Sequence, residues 1–255
     1  MPVLTAVILT KNEENDIEAT IQNARQCADE VLIVDSGSKD NTVKIALKNS
    51  ARVVFRAWDN DFAAQRNYAL SQTDADWVLY LDADERLNKE LVNAIKRVVA
   101  GASGTQKQYN LQRKSVAFGK KFSYGPLHPD WVPRLFPRNC VTWVGKVHEH
   151  PECNLPLEKL PGHIEHYTYR DWQEWEAKMS RYSTIWAEEA YKNGRRTSLS
   201  AALIHGIGSL FSMLILHCGF LDGWMGICLS CMYFSYTMLK YLKLYGLQTR
   251  DHHGI

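Results

Sequence analysis

Asp82 and Asp84 flank a single alanine in Leu81-Asp82-Ala83-Asp84-Glu85, where an apolar run stops abruptly. Two carboxylates one residue apart offer hard oxygen ligands to Mg²⁺ or Mn²⁺, and such an ion in turn bridges a diphosphate. A solvated pair at a strand end has the same appearance, so the motif alone leaves both readings open. A calcium loop counted from Asp82 is disfavoured, because its sixth position, where glycine makes the sharp turn, is Leu87. The glycine-rich dinucleotide fingerprint and the Gly-Lys-Ser/Thr of a P-loop are absent, which leaves a metal as the substitute for a phosphate-cradling loop. A second cluster, His148, His150, Cys153, His163 and His166, invites a rival reading as a structural zinc site in a non-catalytic binding module. Its spacing is irregular: His148-Glu149-His150 is not the His-Glu-x-x-His of a zinc protease, and no Cys-x-x-Cys pair accompanies it.

The elements that must position these residues alternate in type. Val3 to Thr10 is a β-branched apolar stretch ending in a polar loop, and a helical pattern with Ile17, Ile21 and Ala24 on one face follows. Val31 to Val34 reaches Asp35 and a Ser36-Gly37-Ser38 turn, after which Asp40 or Asn41 can cap a helix bearing Val43, Ala46 and Leu47. Arg52 to Phe55 is a third strand, Ala63 to Leu70 a third helix and Trp77 to Leu81 a fourth strand; Leu91, Ile95 and Val98 mark the next helix. Such alternation predicts an α/β fold with a mostly parallel central sheet covered on both faces. Ligands of such sheets sit beyond the carboxyl ends of the strands, and the polar clusters 10–14, 35–40 and 82–85 all fall at those ends.

Four of these segments, taken in order, resemble the family 2 inverting glycosyltransferases of the GT-A fold: Ile8-Leu9-Thr10-Lys11-Asn12-Glu13-Glu14, Val34-Asp35-Ser36-Gly37-Ser38 with Asp40 and Thr42, Gln65-Arg66-Asn67 with Ala69, and Leu81-Asp82-Ala83-Asp84-Glu85. The resemblance continues through Pro133-Arg134-Leu135-Phe136 and Trp143-Val144-Gly145-Lys146-Val147-His148-Glu149 and covers nearly the whole chain. Within the family the sequence is most similar to the branch that adds glucose to the lipopolysaccharide inner core, a β-1,4-glucosyltransferase acting on heptose. The resemblance implies a UDP-sugar donor, with Thr10, Asn12 and Glu13 lining the nucleotide pocket and Asp35 meeting the uracil or ribose. Gln65, Arg66, Asp82 and Ala83 complete the donor site, Arg66 near the phosphates. It implies Asp84 as metal ligand, with Asp82 on the ribose or on metal-bound water, and Glu149 as the general base that takes the acceptor's proton. His148 would orient the acceptor or reach the metal, and Trp143 and Trp131 offer flat faces for a sugar ring, although tryptophans at such positions are as often core.

The composition changes near residue 197. Asp171 to Asn193 forms a polar helix with an aromatic stripe of Trp172, Trp175, Met179, Tyr182 and Trp186, and from Thr197 to Leu221 there is no Asp, Glu, Lys or Arg. After Asp222 the chain is again uncharged from Gly223 to Leu239, with Arg195-Arg196 before the unit and Lys240 and Lys243 after it. An interfacial or re-entrant helical pair broken at Leu221-Asp222-Gly223 fits best, with both ends cytoplasmic; a buried hairpin or oligomer interface is the soluble alternative. The expected organisation is a glycosyltransferase domain over 1–168 and a membrane-associating helical platform over 169–255, contacting the membrane through 197–245. A lipid-linked glycan acceptor then places the protein, peripheral or monotopic, on the cytoplasmic face of the inner membrane. The chain has 255 residues, with 30 Lys+Arg against 28 Asp+Glu, a net charge of +2 that excludes the basic surface expected of a nucleic-acid binder. The six scattered cysteines are expected as reduced thiols. No basic, long apolar leader opens the sequence, so no export is expected. Alternatives are a polyprenyl-linked or capsule precursor as acceptor, or a sugar-nucleotide module without turnover.

Overall fold

The computed structural model describes residues 2–101, 106–145 and 149–253. The chain forms two compact units: Met1–Arg113 with Asp130–His166, and Lys114–Pro129 with Tyr167–Ile255.

In the first unit the strands β1 (Leu4–Thr10), β2 (Glu30–Asp35), β3 (Arg52–Phe55) and β4 (Trp77–Asp82) alternate with the helices α1 (Ile17–Ala24), α2 (Thr42–Lys48) and α3 (Phe62–Ser71). The short strand β5 (Glu85–Leu87), the helix α4 (Lys89–Ala100), and the strands β6 (Gln108–Ala117), β7 (Lys120–Lys121), β8 (Asp130–Pro137), β9 (Thr142–Val144), β10 (His150–Glu152) and β11 (Leu157–Tyr169) follow along the chain, with β7 and the last residues of β6 and β11 counted in the second unit. The sheet runs β3-β2-β1-β4-β8-β6-β11-β5. Its first half is parallel; from β8 onward the pairings β4·β8, β6·β8 and β5·β11 are antiparallel. The sheet is therefore mixed, and the expectation of a mostly parallel sheet holds only for the half built by β-α-β crossovers. The antiparallel strands carry Lys, Arg and Gln among their apolar residues, so no clear period announced them in the sequence.

Both faces of the parallel half are apolar, as burial between helix layers demands. Leu4, Ile8, Ile33, Leu79 and Leu81 pack with Ile17, Ile21, Leu91 and Ile95 of α1 and α4, while Val7, Leu32, Val34, Val78 and Tyr80 meet Ala63 and Ala69 of α3, Phe136 and Trp143. Alternate residues of one strand thus feed opposite layers.

The second unit is mainly helical: α5 (Trp172–Lys192), α6 (Leu199–Phe211), extended by a π-helical turn at Ser212–Leu216, and α7 (Gly223–His253). The hairpin between α6 and α7 is fixed by Asp222, whose carboxylate accepts from the backbone N–H groups of Ser123 and Tyr124 and whose carbonyl accepts from Lys120 Nζ. Segment 199–216 is the one described helix long and apolar enough to cross a membrane, with only 11% of it buried. All six cysteines are free.

Candidate active site

The β1 and β2 loops are stitched into one surface by their own polar side chains. Asn12, at a left-handed φ of 59° that asparagine tolerates better than most residues, donates its backbone N–H to Ser38 Oγ (2.9 Å) and accepts from Lys39 N at Oδ1 (2.8 Å). Glu13 N donates to Thr42 Oγ1 (2.7 Å), and Thr42 in turn bonds Asp40. Asp35 is buried, and its carboxylate accepts from Gly37 N (2.9 Å), Ser38 N (3.0 Å), Ser38 Oγ and Thr10 Oγ1 (3.3 Å). Those four bonds consume most of a carboxylate's acceptor capacity. Asp35 therefore anchors the Ser36-Gly37-Ser38 turn at the end of β2.

At the end of β4 the acidic residues take three different environments. Glu85 is fully buried, accepts from Arg134 Nη2 (3.0 Å) and caps the backbone N–H of Asp82 (2.9 Å). Asp82 accepts from Arg134 Nη2 (2.7 Å) and lies 3.4 Å from Arg66 Nη2. Burial drives the Glu85 carboxyl above its usual range despite Arg134. Burial also opposes ionisation of Asp82, but the charges of Arg134 and Arg66 outweigh it and hold that carboxyl well below the usual range. Two arginines thus share Asp82, whose side chain keeps 35% of its surface exposed. Ala83 is buried, and its carbonyl accepts from Thr20 Oγ1 and Arg86 Nη1, which fixes the turn that presents Asp84.

Asp84 is the member of the set that pairs with a histidine, its side chain 25% exposed. Its Oδ2 lies 3.3 Å from Nε2 of His166 on β11, a residue in register with Glu85. Burial lowers the basicity of His166, but the hydrogen bond and charge of Asp84, with the charge of Glu85, outweigh it and raise its pKa. Among the described residues no group of three or more His, Cys, Asp or Glu side chains is placed to hold a metal. A carboxylate and an imidazole together still fit a divalent ion of the kind that takes one or two protein ligands and completes its shell with water and substrate phosphates. The zinc cluster of the sequence reading is not assembled: His163 Nδ1 pairs with Asn88 (3.1 Å), His166 faces Asp84, and His148 lies outside the described residues.

Gln65 and Arg66 project from α3. Gln65 Nε2 donates to the carbonyls of Arg56 and Ala57 (both 3.2 Å), so it props the neighbouring loop. Arg66 is 5% exposed, with its guanidinium 4.6 Å from the Trp143 ring centroid and 5.5 Å from that of Tyr80, a cation–π seat. Its Nη2 reaches Asp82 and, at 3.5 Å, Glu149 Oε1. Nε and Nη1 have no partner among the described residues, a cost of about 1–3 kcal/mol for each buried donor left unmet. Trp143 is buried against Tyr80 and Phe136, edge to face, and its backbone exchanges hydrogen bonds with the Asn67 amide. That placement corrects its assignment to the acceptor, because no face of the ring is open to a sugar. Trp131, by contrast, remains 38% exposed. Sequence reasoning missed Glu85, Arg134 and His166 as members of the site; Arg134 and His166 lie on antiparallel strands whose register only the folded sheet reveals.

Asp82, Asp84 and Glu85 at the end of β4 thus gather with the buried Arg66 and Arg134 and with His166. Residues 5–153 match the family described as Glycosyl transferase family 2, and the chain belongs to that family. It is 42% identical over 97 residues to an uncharacterized glycosyltransferase of Rickettsia conorii, covering 38% of this chain but only 34% of that relative. It is 27% identical over 260 residues to the lipopolysaccharide core biosynthesis glycosyltransferase LpsC of Rhizobium meliloti, covering 97% of this chain and 94% of that one. Among solved structures, glucosyl-3-phosphoglycerate synthase from Mycobacterium tuberculosis, in complex with Mn²⁺, UDP and glucosyl-3-phosphoglycerate, aligns at 18% identity and a TM-score of 0.45 over 77% of this chain and 82% of that one.

Proposed function

We propose that this glycosyltransferase moves a hexose, glucose in our reading, with inversion from a UDP-sugar to a lipid-linked glycan such as the lipopolysaccharide inner core. The observation that carries the donor half is Arg66: a buried guanidinium with two nitrogens short of acceptors, beside Asp82 and Glu149, is suited to an incoming diphosphate. The stitched loops of Thr10, Asn12, Glu13 and Asp35 offer the nucleoside a preformed wall, and Gln65 and Ala83 hold that wall through their neighbours. Asp84 and His166 would hold a Mg²⁺ or Mn²⁺ ion, which when bound neutralises charge on the departing diphosphate. Glu149 accepts the proton of the acceptor hydroxyl while that oxygen bonds to the anomeric carbon. The bond from that carbon to the diphosphate oxygen breaks, and its electron pair leaves with UDP. A single base suffices because attack comes from the face opposite the leaving group.

Similarity to LpsC along nearly the whole chain supports a lipopolysaccharide acceptor. The exposed apolar side chains Leu203, Ile204, Ile207, Phe211, Ile215 and Leu216 support a peripheral or monotopic seat at the cytoplasmic face of the inner membrane through 197–245. The test is calorimetric titration with UDP-sugars, with Mn²⁺ or with chelator, followed by turnover of Glu149→Gln. Metal-dependent binding of one UDP-sugar and a variant that binds it without turnover are expected; wild-type turnover by the variant would remove Glu149 as the base.

A further inference from the structure

Arg66 serves two carboxylates with one nitrogen. Nη2 lies 3.4 Å from Asp82 and 3.5 Å from Glu149, while Nε and Nη1 are buried with no partner among the described residues. Packing against Trp143 and Tyr80 keeps the guanidinium from turning into water to satisfy them. The other carboxylate, Asp82, has a second and closer cation in Arg134 at 2.7 Å. Arg66 is the ion-pair partner of Glu149, whose side chain is 20% exposed.

We propose that Arg66 is a shared cation that couples donor binding to release of Glu149. With no donor bound, Arg66 Nη2 holds the Glu149 carboxylate; a bound diphosphate claims that nitrogen and leaves Glu149 open to the acceptor hydroxyl. This rests on reading Arg66 as the diphosphate contact and Glu149 as the base. A diphosphate presents more charge and more acceptor oxygens to the planar fork than one carboxylate does, so it wins that competition. Seating the leaving group and freeing the base then become one event, and the acceptor is engaged productively only after the donor. By linkage the competition is reciprocal: whatever removes the claim of Glu149 on Arg66 strengthens diphosphate binding.

The experiment is a double-mutant cycle read by calorimetric titration of the full chain with UDP and Mn²⁺. Glu149→Gln, which keeps shape and loses charge, should bind UDP about 3–10-fold more tightly than wild type, the range of a modest coupling. Arg66→Gln should bind it at least ~10-fold more weakly, and adding Glu149→Gln in that background should change the affinity less than twofold. Unchanged or weaker binding by Glu149→Gln overturns the coupling. So does an equal gain in the Arg66→Gln background, since the gain would then come from direct repulsion between Glu149 and UDP. If Arg66→Gln does not fold, Arg66→Lys closes the same cycle, and the gain must shrink there. Absence of UDP binding by folded wild type would instead overturn the donor reading on which the coupling rests.

Discussion

At the residue scale, neighbouring carboxylates take opposite parts according to what surrounds them. Asp84, partly exposed, faces an imidazole; Asp82, also partly exposed, meets two arginines; Glu85 is sealed inside. Asp84→Ala should therefore abolish metal-dependent UDP binding and lower transfer by ~1,000-fold or more, the size expected of a lost Lewis acid. His166→Ala should weaken the metal requirement in the same direction, both read by activity against Mn²⁺ concentration. Asp82 gives a pH signature. Its folded pKa is depressed below the ordinary 3.8, so its ionisation stabilises the fold above that value, and the contribution is lost as pH falls through 3.8 toward the folded value. Asp82→Asn should lower the thermal midpoint at about pH 7 and narrow the difference between about pH 7 and about pH 3, as measured by scanning calorimetry. From type and spacing the sequence offered the pair Asp82 and Asp84 and the strand-end polar clusters; Thr10, Asn12, Asp35 and Arg66 became candidates through the family resemblance. The partners that decide what each does were not legible, because Arg134 and His166 lie far along the chain and meet the motif only through strand pairing.

At the scale of elements, the site depends on how β11 crosses the start of α4. Gly162, at φ 90°, brings the strand so close that a Cβ there would strike the backbone of Leu91 and the Asn88 side chain. Asn88 Oδ1 caps Leu91 N (2.9 Å) and accepts from His163 N (3.0 Å), tying helix start to strand. Four residues on, His166 reaches Asp84. Gly162→Ala combines an unfavourable left-handed φ with that collision, so a loss of about 1–3 kcal/mol or more is expected, measured by chemical denaturation, together with weaker metal-dependent UDP binding as His166 shifts. The alternating strands and helices through residue 100 were readable because each buried element repeats a clear period. Strands β6 and β8 were not, since their sequences mix charged and apolar residues without a clear alternation, and charges such as Arg113 and Asp130 pair across the strands.

At the scale of the molecule, the second unit presents its apolar residues outward along α6, while Gly206 lets α6 approach Phe234 and Met238 of α7 closely. If that face meets lipid, Ile204→Asp with Phe211→Asp should move the protein from the floating to the soluble fraction in vesicle flotation while the fold persists, because both side chains are exposed. Unchanged flotation would argue for another partner on this face. Local pattern alone determined the β-α-β half, the strand-end position of the chemical residues and the helical break near Asp222, since each depends on neighbours within a few turns of chain. Tertiary structure alone decided that the sheet is mixed, that Trp143 is buried, that Arg134 and Arg66 come to Asp82, and that His166 comes to Asp84. Those outcomes turn on which distant charges and rings share a register, and the strength of a charge or an aromatic face depends on its partners in space.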